Sequence, residues 1–175
     1  YIKKILNSFK IPILFVDGFE ADDVIGTLAK QADAKGITTY MMTPDKDFAQ
    51  LVGQNIYMYR PGRGGNPSEI WDTQKVCEKF DINNVEQVVD FLGMVGDSVD
   101  NIPGIPGIGP KTASKLLKSY GSVEGLYESV SLLEGKLKER VIYAKDQAIL
   151  SKKLAKIVVD VPIKLNLDAL HFVGP

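Results

Sequence analysis

The chain has 175 residues, 45% of them hydrophobic, which is enough for one well-buried core or for a core with a small appended module. No apolar run approaches the ~20 residues of a membrane span and the start shows no signal-peptide pattern, so the expectation is a soluble, cytoplasmic protein with no membrane partner. A single cysteine excludes an internal disulfide, and the net charge of −1 hides an asymmetry: residues 1–100 carry 10 Lys/Arg against 15 Asp/Glu, whereas residues 101–175 carry 11 against 7. The first part is suited to attract cations and the second, more weakly, anions; ordinary surface variation accounts for the split equally well.

The opening YIKKILNSF sets Ile2, Ile5, Leu6 and Phe9 at helical spacing, and Pro12 ends that helix before the apolar run IPILFV, which suits a buried strand. After Asp17-Gly18, EADDVIGTLAKQADAKG places Ala21, Val24, Ile25, Leu28, Ala29 and Ala32 on one helical face, with Gly36 as its stop. ITTYMMT predicts a second strand, DKDFAQLV a short helix and NIYMYR a third strand. Strands alternating with helices over short connections signal a mainly parallel sheet flanked by helices.

A surface loop, RPGRGGNPS at 60–68, precedes the short segment SEIWD. Beyond Trp71 the patterns are helical, over 73–80, 84–95, 110–120, 122–129 and 133–155. Cys77 lies in the first of these and, without a second cysteine, reads as a small buried hydrophobe rather than a nucleophile. The fold class is therefore α/β followed by a helical portion, joined through DSVDNIPGIPGIGPK at 97–111. The chain enters its sheet by way of a helix, as though an earlier strand were cut away.

Three acidic groups stand where a loop meets a helix: Glu20, Asp22 and Asp23 in GFEADD, Asp45 and Asp47 in TPDKD, and Asp97 and Asp100 in GDSVDN. Loops that follow parallel strands gather on one sheet edge, so the first two groups can converge there. Singly, each has an ordinary explanation: acids in a helix's first turn complement its dipole, and an isolated Asp-x-Asp is also a solvated turn or a sugar transferase's metal ligand. Together, seven carboxylates in one place call for bound cations. With no Cys nearby and His171 near the chain end, hard ions are favoured over zinc, namely two Mg²⁺ or Mn²⁺, which suit in-line displacement at a phosphodiester.

After the acids, Gly104, Gly107 and Gly109 permit tight turns, and Pro110 fits the first turn of a helix KTASKLLKSYG. The free N–H groups at that helix start, with Lys111 and then Lys115 one turn on, make a site for phosphate. Gly-Ile-Gly before a helix reads as the hairpin of a helix-hairpin-helix element that grips a nucleic-acid backbone without reading sequence; a plain inter-helix turn is the alternative.

GFEADDVIGTLA, TPDKDFAQL and FLGMVGDSVDNIPGIPGIGPKTASKLL, in this order and at these separations, closely resemble the 5′ nuclease domain of bacterial DNA polymerase I, which is related to phage 5′ nucleases and flap endonucleases. The resemblance runs through nearly the whole chain, and three linked motifs make it specific. It implies a PIN-like α/β core in which Glu20, Asp22 and Asp45 hold a first metal, with Asp23 holding metal-bound water. Asp47, Asp97 and Asp100 would serve a second. It implies a 5′-to-3′ exonuclease and flap endonuclease acting on DNA with a 5′ flap, nick or RNA primer in replication and repair. Gly107, Ile108, Gly109, Lys111, Thr112 and Lys115 would contact DNA, and the stretch from Ser98 to Gly109 would bind K⁺ through carbonyls.

Family members also carry, ahead of the motifs found here, a strand with an aspartate ligand and a basic helical arch. The expectation is accordingly the C-terminal two-thirds of such a domain, from a protein with a linked polymerase domain. Its portions would be 1–96 (nuclease core), 97–150 (helix-hairpin-helix) and 151–175 (a segment packing back on the core). An open sheet edge invites pairing, including self-association. The competing readings are a catalytically incomplete module that only binds branched or duplex DNA and, far behind, a DxD-type sugar transferase.

Overall fold

The computed structural model describes residues 1–172 and Gly174, and its sheet is built from three short strands: β1 (Thr39–Met42), β2 (Ile56–Arg60) and β3 (Glu69–Trp71). β1 pairs with β2 in parallel, Thr39 opposite Ile56, while β3 returns antiparallel to β2 with Trp71 opposite Met58. The third strand comes from SEIWD, where only a short segment was expected. Met41, Ile56, Met58 and Trp71 send their side chains into the core, and Arg60 stacks on the Trp71 ring 4.5 Å from its centroid.

Three expectations are corrected. IPILFV forms no strand: residues 11–16 are irregular and Phe15 is 71% exposed. A strand requires a ladder partner, and among the described residues the outer edge of β1 pairs with nothing. For the same reason α1 (Ile2–Ser8) buries no residue and Ile25 of α2 (Ala21–Asp33), predicted on the buried face, stays exposed. The helical pattern over 133–155 is two helices, α7 (Gly135–Tyr143) and α8 (Lys145–Ala155). The break falls at Ala144, whose backbone (φ −94°, ψ 17°) leaves the α region and turns the chain so that Val141 and Ala148 both face inward.

The remaining helices follow the periodicity: α3 (Thr73–Phe80), α4 (Gln87–Val95), α5 (Pro110–Tyr120) and α6 (Val123–Glu128), with a short α9 (Leu167–Leu170) near the end. Cys77 is half-buried against the core rather than enclosed by it, and His171 is exposed. One apolar core runs from Ile56 and Met58 of the sheet through Val88 and Met94 of α4 to Leu117, Leu126 and Val141. α4 is its centre. Gly93 lets α8 lie directly on it, since a β-carbon there would come within 2.7 Å of Lys152 Cα. Beyond α8 the chain returns along α2, and backbone N–H groups of Val158, Val161 and Leu165 donate to Asp23 (2.8 Å), Thr27 (3.1 Å) and Gln31 (2.8 Å).

Candidate functional site

A cleft of about 330 Å³ opens where the first turn of α2, the 3₁₀ turn Lys46–Leu51 and the loop after α4 meet the end of α8. Its walls carry Glu20, Asp22, Asp23, Asp45, Asp47 and Asp100, together with Ile102, Leu154, Ala155, Lys156 and Ile157. The three acidic groups of the sequence therefore do converge. Asp97 stands at the margin, turned to Lys46, but one carboxylate oxygen each from Asp47, Asp97 and Asp100 lie within 4.8 Å of one another. Among the described residues no other trio comes that close; Glu20, Asp22 and Asp45 share the cleft at wider spacing.

Local chemistry fixes each group. Glu20 is the N-cap of α2, and Asp23 accepts its N–H through Oδ2 at 3.3 Å while Oδ1 takes the Val158 N–H. Asp45 caps the 3₁₀ turn by accepting the Asp47 N–H at 3.0 Å. Asp97 and Asp100 are not on a helix face: Asp97 and Ile102 exchange both backbone hydrogen bonds (2.8 and 2.7 Å), closing a tight loop. Gly96 and Gly104, both at positive φ, allow that loop's ends to cross, since a β-carbon on Gly104 would lie 2.6 Å from the Gly96 nitrogen.

The electrostatics follow from crowding like charges in a partly enclosed space. Burial, then the neighbouring Asp45 carboxylate, pushes Asp47 up to about 6, with Asp97 and Asp100 adding and Lys46 opposing. Burial and the charges of Asp45, Glu20, Asp23 and Asp100 raise Asp22 as well. Asp97 is held low by its hydrogen bonds from Lys46 and the Val99 N–H. Asp47 Oδ1 is buried without a hydrogen-bond partner, its nearest cation, Lys46 Nζ, standing 3.8 Å away. An orphaned buried carboxylate oxygen beside two more carboxylates suits a hard, oxygen-seeking cation.

Sequence reasoning missed Lys46 and Lys156, the basic members of this site. Lys46 lies between two of the chosen acids in TPDKD, which was the available signal. Lys156 and the apolar wall of Leu154 and Ile157 come from the last turn of α8 and the segment that follows it, and nothing in their spacing announced it.

Past the acidic loop lies the hairpin. Gly104 donates to Ser151 Oγ (3.0 Å) and accepts from Gln147 Nε2 (2.7 Å), and the Ile105 N–H donates to Met94 (2.8 Å), pinning the loop to α8 and α4. Ile105 and Ile108 are buried anchors, and the Ile108 N–H is taken by the Ile105 carbonyl, so Ile108 offers neither side chain nor N–H to a ligand. The N–H groups of Gly107, Gly109 and Lys111 donate to no protein acceptor among the described residues. Lys111 and Lys115 are exposed and Thr112 half-buried, all three along a groove between α5 and the stretch leading into α7.

A small α/β unit lined with carboxylates, continued by a helical unit whose first loop presents free amides, defines a two-part class. One family model, described as 5′-3′ exonuclease, N-terminal resolvase-like domain, matches residues 1–81, and another, 5′-3′ exonuclease, C-terminal SAM fold, matches residues 83–175. The chain belongs to this 5′-3′ exonuclease family. It is 41% identical over 175 residues to DNA polymerase I of Bacillus subtilis, covering 99% of this chain and 20% of that protein. It is 38% identical over 174 residues to a 5′-3′ exonuclease of Aquifex aeolicus, covering 99% of this chain and 57% of the relative. The chain thus spans about a fifth of the polymerases it matches. The same fold recurs in the bacteriophage T5 flap endonuclease solved as a pseudo-enzyme-product complex with DNA and metal ions (TM-score 0.77, 18% identity, 89% of this chain and 56% of that one).

Proposed function

We propose that this chain is the catalytic and DNA-gripping part of a metal-dependent 5′-to-3′ exonuclease and flap endonuclease, acting on DNA with a 5′ flap, nick or RNA primer within a DNA polymerase I. The observation that carries the reading is the acidic cleft itself, joined by one short loop to a hairpin with unused N–H groups. Portion 1–96 then supplies most of the acidic cleft, and portion 97–150 adds Asp97 and Asp100 to it before its hairpin grips the DNA. The segment 151–175 closes the cleft, a role supported by its hydrogen bonds to α2.

Glu20, Asp22 and Asp45 would hold one divalent ion, and Asp47, Asp97 and Asp100 a second, Mg²⁺ or Mn²⁺ by the all-oxygen donor set. When bound, such ions lower the pKa of an attacking water and stabilise the leaving oxygen of the phosphodiester. The chain's own residues set the frame. Asp23, with both carboxylate oxygens engaged by backbone N–H groups, shapes the ion site and orders water beside it rather than ligating. Ile157, buried, and Leu154, exposed, give one wall of the cleft an apolar face. Gly107, Gly109, Lys111, Thr112 and Lys115 would hold the duplex backbone, with K⁺ at the carbonyls of the 98–109 loop.

A cleavage assay on a 5′-flapped duplex with Mg²⁺ tests this. Release of the flap supports the reading. Tight binding of the flap without cutting, in this chain and in the longer nuclease alike, would replace it with a DNA-binding module. A separate measurement of sedimentation at rising concentration decides whether the edge of β1, unpaired among the described residues, drives self-association.

A further inference from the structure

The hairpin motif ends at α5, yet a charged group from elsewhere in the fold lies on it. Arg140, near the end of α7, rests its guanidinium against Gly107: a β-carbon on that glycine would stand 2.7 Å from Nη1 and 3.1 Å from Cζ. Gly107 is at φ +77°, so the turn favours glycine there, and the absent β-carbon leaves room for the guanidinium. Arg140 is exposed and, among the described residues, takes part in no ion pair. The N–H groups of Gly107, Gly109 and Lys111 beside it are equally unengaged.

A guanidinium laid on glycine backbone without a carboxylate partner has no evident structural task. Helix packing does not need it, because α7 is held to the core through Val141 and through the Tyr127 hydroxyl, which donates to the Val141 carbonyl at 3.0 Å. What the arrangement does provide is a planar fork of donors flanking a row of free amides, the donor set that a phosphodiester oxygen pair accepts. The rest of the loop is already spoken for, since Gly104, Ile105 and Ile108 spend their N–H groups on the protein. Free donors and free charge therefore coincide on one short stretch.

We infer that Arg140 is a DNA-backbone contact of the hairpin, clamping from α7 the same phosphate that the amides of Gly107 and Gly109 receive. The inference rests on the hairpin being a DNA-gripping element. The contact is sequence-independent and adds one cation to those of Lys111 and Lys115. It also makes the hairpin site a product of two helices, α5 and α7.

The test is anisotropy of a labelled 5′-flapped duplex titrated with the protein in EDTA, repeated across KCl concentrations and with two unrelated duplex sequences. R140Q keeps a polar side chain with two N–H donors but is shorter and removes the charge. It should weaken binding by about 3- to 10-fold at ~100 mM salt and reduce the slope of log affinity against log salt by about 1, equally for both sequences. R140K, which keeps the charge, should retain the slope while losing part of the affinity to its missing fork. An R140Q protein with unaltered slope, beside a K111A protein whose slope falls, would overturn the role of Arg140 alone. Unaltered slopes in both would instead remove the hairpin from the DNA interface. A change in sequence preference would also overturn the inference.

Discussion

Asp23 and Val158 lie 135 positions apart in the chain, yet the Val158 N–H donates to Asp23 Oδ1 at 2.8 Å, tying the first turn of α2 to the segment that closes the cleft. The contact is the first of a series. Asp23, Thr27 and Gln31 recur every four residues along α2 and accept in turn from Val158, Val161 and Leu165. A polar stripe at helical spacing thus receives an extended backbone that has no strand partner, satisfying its N–H groups one turn at a time.

Asp23→Ala breaks both of that side chain's bonds. It should cost roughly 1–2 kcal/mol of stability and, by loosening the wall at Lys156 and Ile157, lower cleavage by an order of magnitude or more while changing divalent-ion affinity little. Thermal melts, flap cleavage and metal titration read these separately. A large loss of ion affinity with unchanged stability would make Asp23 a ligand instead.

Asp45→Ala should lower flap cleavage by at least ~100-fold and leave the affinity for flapped DNA within a few-fold of the parent, because the hairpin carries binding. The measurement pairs single-turnover cleavage with anisotropy. Full activity in this variant would dismantle the assignment of the metal site.

The metal-free protein should show a pH signature centred on Asp47. Its folded carboxyl titrates near 6, above the ordinary carboxylate value of 3.8, so the folded state holds the proton more tightly than the unfolded chain. The group therefore favours folding below about pH 4 and loses that contribution as pH rises toward and past 6. Asp47→Asn removes the penalty. In EDTA it should be more stable than the parent at pH 7.5 by about 1 kcal/mol, a value discounted for the open mouth of the cleft, and the gap should close by pH 4.5. Mg²⁺ at pH 7.5 should stabilise the parent more than the variant, which keeps only the site of Glu20, Asp22 and Asp45. Equal melting points for the two proteins at both pH values would contradict the crowding of charge described for the cleft.

The legible part of this molecule was its acids and its hairpin glycines, because the residue types that perform such chemistry are few and occur in short motifs. Helices α3 and α5 fall where periodicity placed them, each with an end marked by a cap, Asp72 and the Gly109-Pro110 pair. IPILFV failed for a reason local pattern cannot contain: a strand exists only where a neighbouring strand offers a ladder, and residues 11–16 have none among those described. The break at Ala144 was hidden because alanine is a good helix former and the turn is imposed by packing around it. Lys156 and Arg140 were passed over since a single basic residue carries no pattern, and Lys46 because its only signal was its place between two acids. Their meaning comes from what folding sets beside them.

The same reasoning singles out Asp90, a carboxylate that is 5% exposed inside an apolar helix and that no motif explained. Its Oδ1 accepts the Val123 N–H at 2.7 Å and pairs with Lys152 Nζ at 2.6 Å, and Lys152 in turn reaches Glu124, so one network ties α4, α6 and α8 together. Asp90→Ala leaves the N-terminal amide of α6 without its partner and a half-buried ammonium with only Glu124. It should cost about 2–4 kcal/mol, lowering the melting temperature by roughly 5–15 °C for a chain of this size. Asp90→Asn, which keeps an acceptor for Val123, should cost less. Because α8 ends at the acidic cleft, residual activity in the Asn variant should fall more steeply with temperature than in the parent. A melting temperature within a degree of the parent for Asp90→Ala would show that the apolar contact of Gly93 with Lys152 holds the two helices without the charge network.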